Sequence, residues 1–185
     1  MIKKPDQTAM TRKNLMDAFW LLYEANRTGT LTVREITKKA GYNRSTFYAY
    51  FTDVQDVLAQ WEQSLIPSTS QLPPFTNGAT ELGMPLDPFM ALYEQNSRYY
   101  AVLLGENGDP SFAGKLKEAT KPAIRQALMG KTRLGGTELE ILLEFMLSAM
   151  IGVMSFWFRE GKPLPKERLS ELMRSITEDG AAKML

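Results

Sequence analysis

The stretch that decides the fold is Thr32–Phe51, TVREITKKAGYNRSTFYAYF. Thr32, followed three residues later by Glu35, forms a capping box and predicts that a helix begins at Val33. Gly41 is expected to end this helix, because glycine tolerates the left-handed backbone that closes a helix. Apolar residues recur between them at helical spacing and give the helix one apolar face: Val33, Ile36 and Ala40.

A second helix is predicted directly after the glycine. Asn43 can cap it, and its first exposed positions are Arg44, Ser45 and Thr46. A short helix, a glycine turn and a second helix that begins with hydrogen-bonding side chains form a helix-turn-helix. The second helix of such a unit lies in the major groove, with its first residues on the base edges. The segment therefore predicts double-stranded DNA as a partner.

Seven residues are candidates for DNA contact: Thr32, Arg34, Arg44, Ser45, Thr46, Tyr48 and Tyr50. Arg44 can donate two hydrogen bonds to guanine, while Ser45 and Thr46 can reach base edges or a thymine methyl group. Arg34, one turn into the first helix, could contact a base or a phosphate. Phe47 is expected to point inward and hold the second helix on its domain.

The other candidates are expected at phosphates, which fix the register without carrying sequence information. Tyr48 and Tyr50 present hydroxyls, and the amides at the start of the helix that Thr32 caps can face a phosphate. Each residue also has an ordinary interpretation. Arg44 could be a solvated surface side chain, Thr32 a plain cap, and the two tyrosines packing residues.

Composition narrows the classes of function. The chain has 185 residues, with no cysteine and no histidine. Disulfides and thiolate metal sites are therefore excluded, and the commonest general base and metal ligand is missing. The sequence shows no glycine-rich phosphate loop, nucleophile elbow or carboxylate-pair motif. We therefore expect a protein that is not an enzyme and that needs no cofactor or metal.

Charge is divided unevenly along the chain. Residues 1–51 carry nine Lys and Arg against four Asp and Glu, whereas residues 52–185 carry thirteen against seventeen. A basic head on an acidic body suits a head that approaches phosphates. The N-terminus lacks the apolar stretch of a secretory signal. The longest uncharged apolar run, residues 145–158, is shorter than the ~20 residues that cross a bilayer, so we expect a buried helix and a cytoplasmic protein.

The rest of the sequence predicts helices and no strand, and the fold class is all-α with about nine helices. Beyond the helix-turn-helix, helices are expected at about residues 10–27, 53–66, 87–104, 110–129, 137–159 and 166–176. Pro122 is expected to kink or split the fourth of these. Residues 67–87 form a Pro-rich loop that separates an N-terminal domain from a C-terminal one.

Residues 11–64 resemble the tetracycline-repressor (TetR/AcrR) family of bacterial regulators. The matching residues are Leu31-Thr32-Val33, Ile36, Ala40-Gly41 and the run Ser45–Phe51. The ending TFYAYF is the most specific part of the match. In this family a lysine just inside the fourth helix commonly binds backbone phosphate, but this chain has Val54 there. Either the affinity for DNA is lower than is typical of the family, or other cations compensate for the missing lysine: Arg44, Lys3, Lys4, Arg12 and Lys13.

A second resemblance covers the C-terminal part. Tyr93–Leu116 and the later FWFREGKPLPKERLSELM resemble a C-terminal domain found on some regulators of this family. The resemblance implies a helical body that binds a ligand and dimerises. The predicted domains are thus 1–52, a three-helix DNA-binding domain, and 53–185, a helical bundle for effector binding and dimerisation.

The last two long helices of each subunit pair as a four-helix bundle in this family. Between residues 141 and 158 apolar residues cover nearly the whole helix surface, so one monomer can hardly bury them all. A central helix within a monomer is the alternative. The candidate interface residues are Phe145, Ser148, Gly152, Ser155, Phe156, Leu169 and Met173. A two-fold homodimer would place the recognition helices ~34–36 Å apart on a pseudo-palindrome.

Methionine and aromatic side chains suit an adaptable apolar pocket, although core packing is the better explanation for any one of them taken singly. The candidates for a small apolar or aromatic effector are Trp61, Phe89, Tyr93, Tyr100, Met146 and Met150. Glu94, Asn96 and Arg98 could orient a ligand or form a solvated face.

The leading hypothesis is a ligand-responsive repressor, in which effector binding shifts the population away from the form that fits the operator. An activator, or a regulator that binds a protein instead of a small molecule, remains open. A helical protein-interaction module that has lost DNA binding is the other alternative, and Val54 supports it.

Overall fold

The computed structural model describes residues 5–25, 30–67, 90, 93–105, 108–129 and 132–180, and all regular structure within these ranges is helical. The all-α prediction is confirmed. The chain divides into two compact units, Met1–Leu65 and Ile66–Leu185. The predicted domain boundary lies after residue 52, but the first compact unit continues to Leu65 because the helix that follows packs on the first helix.

The N-terminal unit contains four helices: α1 (Pro5–Ala25), α2 (Val33–Ala40), α3 (Arg44–Tyr48) and α4 (Val54–Leu65). α1 begins five residues before its predicted start, with proline at its first position, where the fixed backbone angle of proline suits a helix. Its predicted end lies outside the described residues. α1 packs on α2 and α4. Its core includes large side chains that are at most 2% exposed: Leu15, Phe19, Trp20, Ile36, Phe47 and Phe51.

The described part of the C-terminal unit includes the helices α5 (Ser97–Leu103), α6 (Phe112–Leu128), α7 (Gly136–Arg159) and α8 (Lys166–Gly180). The predicted single helix at 87–104 is interrupted, because Asn96 leaves helical geometry (φ −117°, ψ 22°) between helical residues 93–95 and α5. α6 begins two residues later than predicted and continues through Pro122 without splitting. Residues 68–89, with nearly all of the predicted Pro-rich loop, lie outside the described residues.

α7 is the central helix of this unit and packs on α5 and α6. Cross-helix ion pairs fasten it to α6: Lys117 with Glu144, and Lys121 and Arg125 with Glu140. By length and composition α7 could cross a membrane, but half of its apolar window is buried, and the core helix of a soluble protein passes the same test. The buried-helix prediction is therefore correct for one face. The other face is exposed and also apolar, with Ile141, Phe145 and Phe156 each more than half exposed.

Candidate nucleic-acid interface

The start of α2 is closed by the predicted capping box. The Thr32 hydroxyl oxygen accepts the Glu35 N–H at 3.3 Å, and the Glu35 carboxylate accepts the Thr32 N–H at 2.9 Å. The Thr32 hydroxyl also donates to that carboxylate at 2.7 Å. The hydrogen bonds from the Thr32 hydroxyl and N–H lower the pKa of Glu35. A charged carboxylate therefore stands beside the α2 N-terminus, and a phosphate that approaches Thr32 must displace it.

The turn between α2 and α3 depends on backbone conformation at Gly41. Its φ is +75°, in the left-handed region, and its N–H bonds the Thr37 carbonyl. A Cβ placed on Gly41 would meet nothing within 4 Å, so glycine is required for its dihedral angles and not for space. The turn is also tied to α1, because the Asn14 side-chain amide donates to the Tyr42 hydroxyl at 3.1 Å.

α3 has only five residues and is held by its two ends. Asn43 has extended geometry and accepts the Thr46 N–H through its side chain at 2.8 Å, as predicted for a cap. Phe47 is fully buried, and its ring lies 5.4 Å from that of Phe51, which confirms its predicted inward direction. This anchoring leaves Arg44 and Ser45 exposed at the start of the helix.

The remaining candidates on this face differ in exposure. Tyr48 is 59% exposed and its ring meets Phe47 edge-on, so its hydroxyl can reach a partner outside the unit. Thr46 and Tyr50 are half-buried, whereas Arg34 and Thr32 are exposed. The seven predicted DNA-contact residues thus lie on α2 and its N-cap Thr32, on α3, and on the turn that follows α3.

Four exposed cations surround these residues: Arg34, Lys38, Lys39 and Arg44. Within the part of the chain that the structure describes, none of the four forms an ion pair. Three cations of α6 differ in this respect, since Lys117, Lys121 and Arg125 are all paired with carboxylates of α7. Sequence reasoning missed Lys38 and Lys39, although two adjacent lysines that end the first helix of a helix-turn-helix were a visible signal.

The cations that were expected to compensate for Val54 are engaged elsewhere. The Arg12 guanidinium donates to the Gln60 side-chain oxygen at 3.2 Å and lies 5.9 Å from the centre of the Phe51 ring. Lys13 pairs with Asp17 at 2.5 Å. Lys3 and Lys4 lie outside the described residues. Arg12 therefore connects α1 to α4, and Arg44 alone of the described candidates stays uncommitted.

The start of α4 lacks the phosphate-binding lysine that is common in the family and carries two carboxylates nearby. The Asp53 carboxylate accepts the Asp56 N–H at 2.8 Å, and the Asp56 carboxylate accepts the Thr52 N–H at 2.9 Å. Hydrogen bonds from the Gln60 amide and from the Thr52 N–H lower the pKa of Asp56. Val54 stands between these two acids, so this helix end repels phosphate.

The effector candidates are divided between the two units. Trp61 lies in the N-terminal unit, where its indole N–H donates to the Met16 carbonyl at 2.9 Å and its ring packs on Trp20. The structure therefore does not bring it together with the others. Phe89 lies outside the described residues.

Four effector candidates are buried in the C-terminal unit: Tyr93, Tyr100, Met146 and Met150. The two tyrosine rings lie 4.6 Å apart, and the helix that carries Tyr100 packs on α7, which carries the methionines. Burial raises the pKa of Tyr93, with the neighbouring Tyr100 adding to the effect, and burial raises the pKa of Tyr100 to about 12. A phenol is neutral at physiological pH even at its ordinary pKa, and burial moves both groups further from ionisation. A cavity of about 680 Å³ lies elsewhere, open to solvent along α6 and α7 beside Lys121 and Phe145.

The dimer candidates fall on two different faces. Phe145 is 63% and Phe156 52% exposed, and they share the outer side of α7 with exposed Ser148 and Gly152 and half-buried Ser155. Leu169 and Met173 are instead buried within their own unit. Their placement at an interface does not agree with this burial, because α8 turns that side inward. Its exposed apolar side chains are Leu172 and Ile176.

The C-terminal unit also matches a known family in sequence. The model of a TetR-type transcriptional regulator C-terminal region matches residues 86–179, which is just over half of the chain. The chain belongs to the TetR family of transcriptional regulators. It is therefore a DNA-binding transcriptional regulator. No curated protein matches it in sequence.

Solved structures share the fold of this TetR-family chain. A TetR transcriptional regulator from Streptococcus agalactiae 2603V is 22% identical, with 92% of this chain and 95% of that chain covered and a TM-score of 0.69. The fatty acid degradation regulator FadR from Bacillus halodurans is 16% identical, with 97% and 98% covered and a TM-score of 0.65. The dihydroxyacetone kinase operon activator DhaS is 16% identical, with 89% and 92% covered and a TM-score of 0.57.

The substitution Val54→Lys tests the α4 end of the interface. We expect it to strengthen binding to any duplex and to steepen the salt dependence, because one added phosphate contact changes the slope of log K against log salt by about 0.9. The measurement is anisotropy titration of labelled DNA at several salt concentrations. Val54→Met, of similar length and without charge, is the control. An unchanged slope in Val54→Lys would show that Asp53 and Asp56 keep this end away from DNA.

Proposed function

We propose that this TetR-family regulator binds a pseudo-palindromic operator as a homodimer, represses transcription there, and releases DNA when a small apolar or aromatic effector binds. The observation that carries the DNA part is the exposed start of α3, fixed from behind by Phe47 and flanked by four uncommitted cations. Association with DNA depends on such cations, because each one that neutralises a phosphate releases a counterion.

Within this proposal the side chains divide by what they contact. Arg44 donates to guanine, and Ser45 and Thr46 contact base edges. Arg34, Tyr48, Tyr50 and the α2 start at Thr32 contact phosphates, and the exposed Tyr48 hydroxyl is the best placed of these. The exposed Lys38 and Lys39 also contact phosphates in this proposal.

The homodimer proposal rests on the outer face of α7. An exposed helix face with two phenylalanines and small residues between them is the kind of surface that a second helix covers. A two-fold axis through this face brings the same residues of both copies together. It also places two recognition helices on one side of the duplex, ~34–36 Å apart.

The effector proposal rests on the interior of the C-terminal unit. Tyr93, Tyr100, Met146 and Met150 are buried, and both phenols are neutral at physiological pH, as phenols ordinarily are. A neutral, aromatic and methionine-rich interior favours an uncharged apolar or aromatic ligand with one or two hydrogen-bonding groups. Binding that prefers one conformation shifts the population away from the DNA-bound form.

An activator is the second candidate, since one protein with this fold is named an operon activator. A transcription reporter distinguishes repression from activation. Deleting the regulator raises expression from the operator if it represses and lowers expression if it activates.

The first experiment is anisotropy with the duplex upstream of the protein's own coding region and a scrambled duplex at fixed salt. Wild type is expected to prefer the native duplex. Tyr48→Ala and Tyr48→Phe are expected to weaken binding to both duplexes by a similar factor, about 3- to 10-fold for each hydrogen bond lost, because a phosphate contact carries no sequence information. The proposed function would be contradicted if wild type bound the native duplex, the scrambled duplex and every member of a genome-wide pool of DNA fragments with the same weak affinity.

A further inference from the structure

We propose that Ser45 contacts the operator as a hydrogen-bond acceptor only. It therefore selects a base whose amino group lies in the major groove, adenine or cytosine, on the strand it faces. The inference deepens the proposed function and rests on it. It follows from the way Asn43 orders the hydroxyl hydrogens at the start of α3.

The identity of the Asn43 atom is fixed by a backbone donor. The Thr46 N–H points at this side chain from 2.8 Å. An amide NH₂ in that place would set two donors against each other, so the atom is the carbonyl oxygen. A carbonyl oxygen has no hydrogen and can only accept.

Two hydroxyl groups contact the same oxygen. The Ser45 hydroxyl lies 2.7 Å from it, the shortest of the contacts, and the Thr46 hydroxyl lies 2.9 Å away. Since the Asn43 oxygen carries no hydrogen, each hydroxyl must donate its own. A hydroxyl has a single hydrogen, so both are left with lone pairs alone for any further partner.

Ser45 presents these lone pairs outward, because its side chain is exposed whereas Thr46 is half-buried. In the major groove, adenine N6 and cytosine N4 are donors, while guanine O6 and N7 and thymine O4 are acceptors. An outward lone pair bonds an amino group and repels a carbonyl oxygen. A serine hydroxyl that was free to rotate would accept either kind of base.

Arg44, the neighbour of Ser45, has the opposite polarity. Its guanidinium has donors only and is exposed, and guanine is its natural partner. The two residues therefore form a donor–acceptor pair that demands a keto base at one operator position and an amino base at another. Asn43 is a positioning residue: it contacts no base itself and orients the Ser45 hydroxyl through the hydrogen bond that it accepts.

The first test is selection of bound duplexes from a randomised library by wild type and by Ser45→Ala. The operator position whose preference disappears in Ser45→Ala is the one that Ser45 faces. Wild type is expected to favour adenine or cytosine over guanine and thymine there by about 3- to 10-fold. A guanine or thymine preference, or no position that loses its preference, overturns the inference. If wild type selects no sequence at all, the proposed function itself has failed.

The second test removes single groups from the base. At an adenine position, purine deoxyriboside lacks the amino group and 7-deazaadenine lacks N7, and each is placed in one half-site. The affinity of wild type is expected to fall about 3- to 10-fold with purine deoxyriboside and to stay at the adenine value with 7-deazaadenine. The affinity of Ser45→Ala should change with neither analogue. At a cytosine position the analogue is 2-pyrimidinone deoxyriboside. Loss with 7-deazaadenine alone would show that Ser45 donates.

The third test concerns Asn43. Glycine is tolerated as a helix cap but offers no side-chain acceptor, so Asn43→Gly frees the Ser45 hydrogen. We expect the preference for amino over keto bases to fall to within about twofold in Asn43→Gly, since a free hydroxyl donates and accepts. Asn43→Asp keeps an acceptor at the same place and is expected to keep the preference, with weaker binding overall. A preference that persists in Asn43→Gly overturns the role of Asn43.

Discussion

Phe47→Ala is expected to unfold the N-terminal unit and to abolish sequence-selective DNA binding. Phe47 is fully buried and is the one residue that α3 buries. A five-residue helix has no stability of its own in water, so its position depends on this side chain. Replacing a buried phenylalanine by alanine costs about 3–5 kcal/mol. That is comparable to the whole stability of a unit of this size.

Chemical denaturation followed by tryptophan fluorescence measures this effect. In a Trp157→Phe background the remaining tryptophans, Trp20 and Trp61, both lie in the N-terminal unit and report on it. The denaturant concentration at the unfolding midpoint is expected to be far lower for Phe47→Ala than for the background protein. Tyr48→Ala, the adjacent and exposed position, is the matched control and should unfold with the background. Coincident curves for Phe47→Ala and Tyr48→Ala would contradict the anchoring role of Phe47.

Phe145→Glu is expected to convert the proposed homodimer into a monomer. Phe145 is 63% exposed and lies on the outer face of α7, so the substitution leaves the fold of one subunit intact. In a two-fold interface it buries two carboxylates, each at a cost of several kcal/mol. Operator affinity should then fall by about 10²–10⁴, because the second half-site is no longer tethered to the first.

Sedimentation and anisotropy measure the two parts of this prediction. Wild type is expected to sediment as a dimer and Phe145→Glu as a monomer. Binding to an isolated half-site should be nearly unchanged. Met129→Glu, at an exposed apolar residue directly after α6, is the control and should remain a dimer. If Phe145→Glu still sediments as a dimer, the subunits associate through another surface.

The local features of the DNA-binding element could be predicted from sequence, because each depends on residues within one or two turns. The Thr32–Glu35 capping box, the left-handed Gly41 and the Asn43 cap are all present in the structure. The chemistry that creates them lies in the neighbouring side chains, so no knowledge of the tertiary fold was needed.

What could not be predicted depends on contacts between distant residues. Arg12 was expected near phosphate, but Gln60, 48 residues away, accepts its hydrogen bonds. Trp61 was expected in an effector pocket, but the Met16 carbonyl, 45 residues away, holds its indole. On α8, Leu169, Leu172, Met173 and Ile176 form one apolar stripe, and the pattern alone does not tell that Leu169 and Met173 are buried while Leu172 and Ile176 stay exposed.

The division of labour in α3 has an evolutionary consequence. Stability rests on Phe47 of α3 and on Phe51 shortly after the helix, whereas base contact is proposed for the exposed Arg44 and Ser45, which add nothing to the core. Selection for folding and selection for DNA preference therefore act on separate positions. A duplicated gene can change which promoters its product recognises through substitutions at two codons, while the rest of the chain continues to fold as before.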